Sequence, residues 1–286
     1  MTGDDGLFGP ASVTWAVHAD PVFPVAGVRA LLLQALHPVT MAAVAQHGGF
    51  DEDFWGRLER TVGYVNTVTF GPAGEARRTA ARVRGVHRRL RGTDPATGRT
   101  FRLDEPDLLL WVHCCQVESY LGTARRAGAP VDLAAADRYV AEQVLAAELI
   151  GIPADLVPTT VGGLQDYFRA VRPVLAVSDD ARRAVRQLAV PPMASWVRLL
   201  TPAWPAWLTL AGLAAGLLPR WARRLYRLPG LPITDPVATA ALRALRAGTA
   251  ILPERFSGPP EVRAARARAA ALAAASPAGG SAAPAA

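Results

Sequence analysis

The chain has 286 residues, 51% of them hydrophobic and 19% charged, enough to bury a sizeable core as one large domain or two modest ones. It holds no lysine: all 31 cationic side chains are arginine, set against 24 acids, for a formal net charge of +7. That excludes a Schiff-base lysine, a pyridoxal phosphate anchor and a complete phosphate-cradling GxxxxGK[ST] loop. The arginines are spread among acids and alanines with no nucleic-acid-reading motif, so the excess reads as a solvated face and no nucleic-acid partner is expected.

The first ten residues are acidic and lack both a charged n-region and an apolar h-region, so no secretory signal is expected and a cytoplasmic location is the default. Thr14–Ala30 gives a short helix and turn around Pro21 and Pro24, with Trp15 and His18 near the edge and His18, beside Asp20, exposed. Gly27–Gln46 is strongly apolar and is broken at Pro38, which disfavours helical geometry at His37. Two helical pieces or one kinked helix follow, with His37 capping or packing beside the proline rather than facing a ligand. His47 belongs to a turn with Gly48 and Gly49.

Asp51 or Asp53 caps the next helix, in which Phe54, Leu58, Val62, Val65 and Thr69 recur at helical spacing. Arg57 and Thr61 stand four apart and share one face of it, and Arg60 lies one turn before Tyr64. A second helix, roughly Ala73–Arg91, aligns Ala80, Val83, His87 and Leu90 on its less polar side, so a histidine points at the core. Gly92–Thr100 reads as a loop and Thr100–Leu103 as a short extended piece. A third helix opens with Asp104 as cap, Pro106 in the first turn and Asp107 favouring the dipole, and runs to about Ala127 before Gly128. It carries His113 near Leu109, Leu110 and Val117, a second imidazole expected in the interior. Cys114 and Cys115 are adjacent on that helix, which rules out a disulfide between them, and they lack the companions for a zinc site; they read as buried spectators.

Helices follow at Ala134–Leu149, Thr160–Val171 and Asp179–Leu188, the last capped by Ser178. No run of alternating strands and no internal repeat appears, so the fold class is all-α. Leu199–Pro219 is uncharged between Arg198 and Arg220 and meets the length rule for a membrane span, but Pro202 and Pro205 interrupt it. Three readings stay open: a buried helical hairpin, a true span, and peripheral membrane contact, for which Arg220–Arg227 with Trp221 and Tyr226 would suit an interface as well as an ordinary surface helix. A last amphipathic helix spans roughly Val237–Gly248. The domain organisation expected is an N-terminal segment over 1–23, a helical domain over 24–256 with an added C-terminal apolar segment, and an Ala/Pro-rich disordered tail over 257–286.

The succession LLLQALHP, HGGF, FWGRLERT, TFG, VRGVHRRLRG, PDLLLWVH and LLPRWARRLYRL, over about Pro24–Leu228, resembles the bacterial branch of the rubber oxygenase (latex clearing protein) and MpaB oxygenase family. The resemblance implies a single globin-like helical core holding a b-type haem, with oxygenase or oxidoreductase chemistry on a small hydrophobic, isoprenoid- or lipid-like substrate and oxygen. The family's Arg-x-x-x-Thr signature falls on Arg57 and Thr61, and its Val-Arg-x-x-His pattern on Val83 to His87. The resemblance therefore implies His87 as axial ligand to iron, its other ring nitrogen donating to a carbonyl or acid. The WVH motif leaves His113 as the alternative ligand. Arg57 and Thr61 would serve the open side of the haem or a propionate, and Arg60 would neutralise a propionate. Rubber-cleaving members carry a lysine immediately before the threonine; here it is Arg60, an always-protonated guanidinium and a poor iron ligand, so rubber as a substrate is not carried over. A non-catalytic haem- or hydrophobe-binding protein and a peripheral membrane protein are the alternatives.

Overall fold

The computed structural model describes residues 6–47, 53–229, 231–250 and 260–275. Within them the chain forms α1 (Val13–His18), α2 (Phe23–Gln34), α3 (Pro38–His47), α4 (Phe54–Phe70) and α5 (Ala73–Arg89), then a hairpin of β1 (Arg91–Thr93) and β2 (Thr100–Arg102). There follow α6 (Pro106–Arg126), α7 (Leu133–Ile150), α8 (Val161–Val171), α9 (Asp179–Ala189), α10 (Ser195–Leu200), α11 (Ala203–Gly216), α12 (Arg220–Leu225), α13 (Thr234–Ala250) and α14 (Pro260–Ala275). The all-α class holds, with 73% of the structure helical.

Helix starts follow local chemistry. Asp53, Asp132, Thr160 and Ser178 each accept a backbone N–H three residues on, at the heads of α4, α7, α8 and α9, caps worth about 1 kcal/mol apiece. Pro38 breaks the apolar run as expected: α2 and α3 meet at a bend of 105°, and His37 Nδ1 accepts the Thr40 N–H at 3.3 Å, so this histidine caps α3. Asp104, in contrast, is not the cap of α6. Glu105 occupies that position, while Asp104 takes two hydrogen bonds from the Arg102 guanidinium, a stronger partner than a helix N–H. The stretch read as a loop contains β1, paired antiparallel with β2 through Gly92 and Phe101. A Cβ at Gly92 would lie 2.4 Å from the Phe101 ring, so a glycine is required for the ring to close over the hairpin.

The centre is the α2–α6 pair. Leu33, Leu36, Trp111, Cys114 and Cys115 are fully buried there, with Tyr139 from α7. Trp111 Nε1 donates to Gln34 O at 3.0 Å and Gln34 Nε2 to Val112 O at 3.3 Å, lacing the two helices. The buried Arg29 guanidinium pairs with Glu118 on α6 and also donates to Ser119 Oγ and to Leu217 O beyond α11. Such a charge is tolerable inside because nearly every donor is matched.

Both ends of the described chain pack onto the helical body. Residues before Pro24 are not a separate segment: Val13, Val17 and Val22 belong to the main core, and Glu142 of α7 accepts the Thr14 N–H at 2.8 Å and its hydroxyl at 2.7 Å. His18 is not exposed. It is 5% accessible, with Nδ1 2.8 Å from Thr69 Oγ1 and Nε2 3.0 Å from Tyr139 OH. At the other end, residues 260–275 are the helix α14 rather than disordered tail, with Val262 and Ala265 buried against Trp15 and Phe70; residues 276–286 lie outside the described residues. The uncharged Leu199–Pro219 stretch divides at Thr201 and Pro202 into α10 and α11. Among the described residues no single helix is long and apolar enough to cross a membrane.

Candidate functional site

A cavity of about 370 Å³ opens where α2, α4, α6 and α11 meet, within the size range of small-molecule sites. Its walls are Phe23, Val28 and Leu31 from α2, Leu58, Val62 and Val65 from α4, and Trp207 and Leu210 from α11. Gly27 contributes a wall without a side chain, and a Cβ there would meet nothing within 4 Å, so the free volume extends to the backbone of α2.

Into this apolar chamber come a few polar groups. Thr61, Asn66, Gln116 and Tyr120 line it. Thr61 gives its hydroxyl proton to Arg57 O at 2.9 Å, keeping its oxygen lone pairs for the chamber. Asn66 is 4% exposed and Tyr120 7%, yet neither side chain has a hydrogen bond among the described residues. Their polar ends are therefore open to a ligand in the chamber that carries a matching polar atom. The sequence signal for these residues was present but silent alone: Gln116 and Tyr120 stand one and two turns after His113 on the same face of α6, and Asn66 interrupts the apolar stripe of α4 one turn after Val62.

Of the residues singled out from the sequence, Thr61 lines the chamber and Arg57, Arg60, His87 and His113 do not. Arg57 is one turn before Thr61, and burial, with the neighbouring Arg60 charge, lowers its affinity for a proton below the usual guanidinium value. Arg60 turns outward: its side chain is 68% exposed and donates to Asp53 at 2.9 Å. The charge expected to neutralise a propionate is paired in this structure at the head of its own helix. The helices α4 and α5 run antiparallel about Gly71 and Pro72, and Arg57 and His87 are nearly equidistant from that turn, so they stand at the same end of the hairpin.

The five histidines separate into two groups. His18, His37 and His47 are engaged, with Thr69 and Tyr139, with Thr40, and with Arg91 O respectively. His87 and His113 make no hydrogen bond among the described residues, and His87 Nδ1 is a buried atom without a partner. Burial holds both rings neutral: the His87 pKa is lowered by desolvation, partly opposed by Asp104, and that of His113 is pushed down to about 4. The acceptor expected to orient His87 through its second nitrogen is not in place, since the nearby Asp104 is committed to Arg102.

These observations test whether a haem fits. A metal held by protein donors alone needs several of them, and no cluster of three His, Cys, Asp or Glu side chains is placed to hold an ion among the described residues. A haem iron asks the protein for one neutral, accessible imidazole nitrogen, because the porphyrin supplies the other donors. His87 Nδ1, covered and without a partner in this structure, and the neutral His113 ring on α6 are donors of that type, so the residue chemistry fits the group.

A family model described as "ER-bound oxygenase mpaB/B'/Rubber oxygenase, catalytic domain" matches residues 15–251. No curated protein matches the chain. No solved structure matches it.

Proposed function

The chain belongs to the ER-bound oxygenase mpaB/B'/rubber oxygenase catalytic-domain family, and we propose that within it this protein is a haem b-dependent oxygenase acting on a small, mostly hydrophobic molecule. The observation that carries the reading is the apolar chamber bounded by α4, whose Arg57-x-x-x-Thr61 pair reaches it through Thr61. The hairpin partner α5, which contributes no residue to the chamber wall, carries an imidazole nitrogen with nothing to bond.

In this reading His87 holds the haem through Nδ1, with His113 the competing ligand. Bound haem supplies the oxygen activation, while the protein supplies ligation, polarity and access. Thr61, its hydroxyl proton given to Arg57 O, offers the chamber an acceptor oxygen, while Arg57 adds a permanent cation one turn away that favours negative charge developing nearby. Leu58, Val62 and Leu210 give it apolar walls. Asn66 and Tyr120 orient an otherwise apolar substrate by one polar atom.

The test is a visible spectrum and iron content for protein produced with ample haem precursor, followed by the single variants. His87→Ala is expected to lose the Soret band and His113→Ala to keep it; the reverse moves the ligand to α6, and colourless wild-type protein that takes up no haemin removes the reading. Oxygen consumption with a panel of apolar alcohols and isoprenoids then separates turnover from binding alone.

A further inference from the structure

We propose that α10 and the head of α11 form a docking surface for an anionic phospholipid membrane, at which Trp196, Leu199 and Leu200 enter the interface. The proposal goes beyond the haem reading and does not rest on it.

Three observations converge. The first is exposure: Leu199 and Leu200 are 79% and 80% accessible and Trp196 64%, with Val190 at 56% just before them. A water-facing helix gains nothing from adjacent leucines at its tip, and a ridge of this kind marks a surface that is covered in use. The second is charge. From Ala181 to Thr234 the sequence contains eight arginines and no Asp or Glu. Arg182 and Arg183 are paired back to Asp179 and Asp180, but Arg186 and Arg198 have no carboxylate partner among the described residues. The Arg198 guanidinium instead lies 4.4 Å over the Trp204 ring. An apolar ridge beside tryptophan and an arginine without a carboxylate partner, in a stretch of sequence free of acids, is complementary to acyl chains beneath anionic headgroups. The third is position. Trp207 and Leu210, one and two turns further along α11 from Ala203, line the chamber, and Trp207 Nε1 donates to Leu188 O at 2.8 Å, fixing α11 to α9. The ridge therefore leads into the helix that walls the chamber, towards which a sparingly soluble molecule would leave the lipid.

The helices explain why contact is superficial. α10 is a single short element ended by Thr201, whose hydroxyl donates to Val197 O at 2.6 Å, and Pro202 prevents its continuation into α11. The inserted depth is one ridge of side chains, without a span.

The experiment is flotation of the full chain with vesicles of phosphatidylcholine alone and of phosphatidylcholine mixed with phosphatidylglycerol, at low and high salt. Wild-type protein is expected to float with the mixed vesicles, less so as salt rises. Leu199→Glu and Leu200→Glu, both at solvent-facing positions, are each expected to weaken partitioning about tenfold or more with unchanged circular dichroism and melting temperature. Arg198→Gln is expected to reduce only the salt-sensitive part. Failure to float with either vesicle, or flotation untouched by the leucine variants, overturns the proposal. A wild-type dimer in sedimentation that Leu199→Glu dissociates also overturns it, assigning the ridge to a second copy. Haem content is measured on the same samples, so a colourless protein that still floats separates the two readings.

Discussion

At the scale of single residues, the molecule keeps neutral imidazoles where proton uptake is costly. His18 has both nitrogens occupied by hydroxyls in a dry interior, and burial lowers its pKa to about 3. The unfolded chain binds a proton near pH 6.5, so between that value and about pH 3 unfolding takes up a proton that the folded state refuses. Stability is then fully present above pH 6.5 and falls on acidification by about 1.4 kcal/mol per pH unit from this residue alone. His18→Gln, which can still hydrogen-bond but cannot charge, is expected to lower stability at pH 7 by about 1–2 kcal/mol and to flatten its decline towards acid by one proton. Urea midpoints measured from pH 7 down to 5 check both; an unchanged slope would mean that His18 is charged in the folded protein. That residue also shows where local reading fails. Its neighbours Ala19 and Asp20 suggest a surface, but its partners lie 51 and 121 positions away, and no local pattern encodes them.

The α4–α5 hairpin shows what an element can and cannot reveal. Its cap at Asp53, its apolar stripe and the level of His87 relative to Arg57 follow from spacing, as do most helix starts, because each depends on residues three or four apart. The chamber does not, since it is a gap between four helices and is described by what fails to touch. Asn66 and Tyr120 were hidden for that reason, and Arg57 and Thr61, visible as a pair on one helix face, took a role only through resemblance. The hairpin also sets a geometric prediction. A Cβ at Gly71 would lie 2.5 Å from Thr67 O, the carbonyl that accepts the Gly71 N–H at 2.9 Å, whereas a Cβ at Gly85 meets nothing within 4 Å. Gly71→Ala is expected to cost about 1–3 kcal/mol by forcing the turn open, and Gly85→Ala to gain about 0.5–1 kcal/mol from helix propensity. Thermal melts of the two variants decide the point, with opposite signs required. If the turn governs the separation of Arg57 from His87, Gly71→Ala also weakens haem retention and Gly85→Ala does not.

Across the whole molecule, the last helix closes the fold. The family match ends at residue 251, yet α14 lies beyond it and covers Trp15 and Phe70, two aromatic rings in edge contact at 5.4 Å that belong to the matched region. Its sequence looks like low-complexity tail because the buried face is made of Ala265 and a lone Val262, too small to stand out against the surrounding alanines. Arg268 fastens it by donating to Phe70 O, and Trp15 Nε1 is already held by Thr69 O at 3.0 Å, so α14 docks on a preformed surface. Val262→Asp places a carboxylate against two rings, which undocks the helix sooner than it unfolds the core. The expected loss is about 2–3 kcal/mol, a fall in melting temperature of about 4–12 °C for a domain of this size. It should come with a red-shifted Trp15 emission and selective proteolysis within residues 260–275. Because Thr69 also holds His18, loosening this corner should steepen acid unfolding as well. A variant that melts like wild type, with α14 still protected from protease, would show that the helix contributes nothing to the fold it covers.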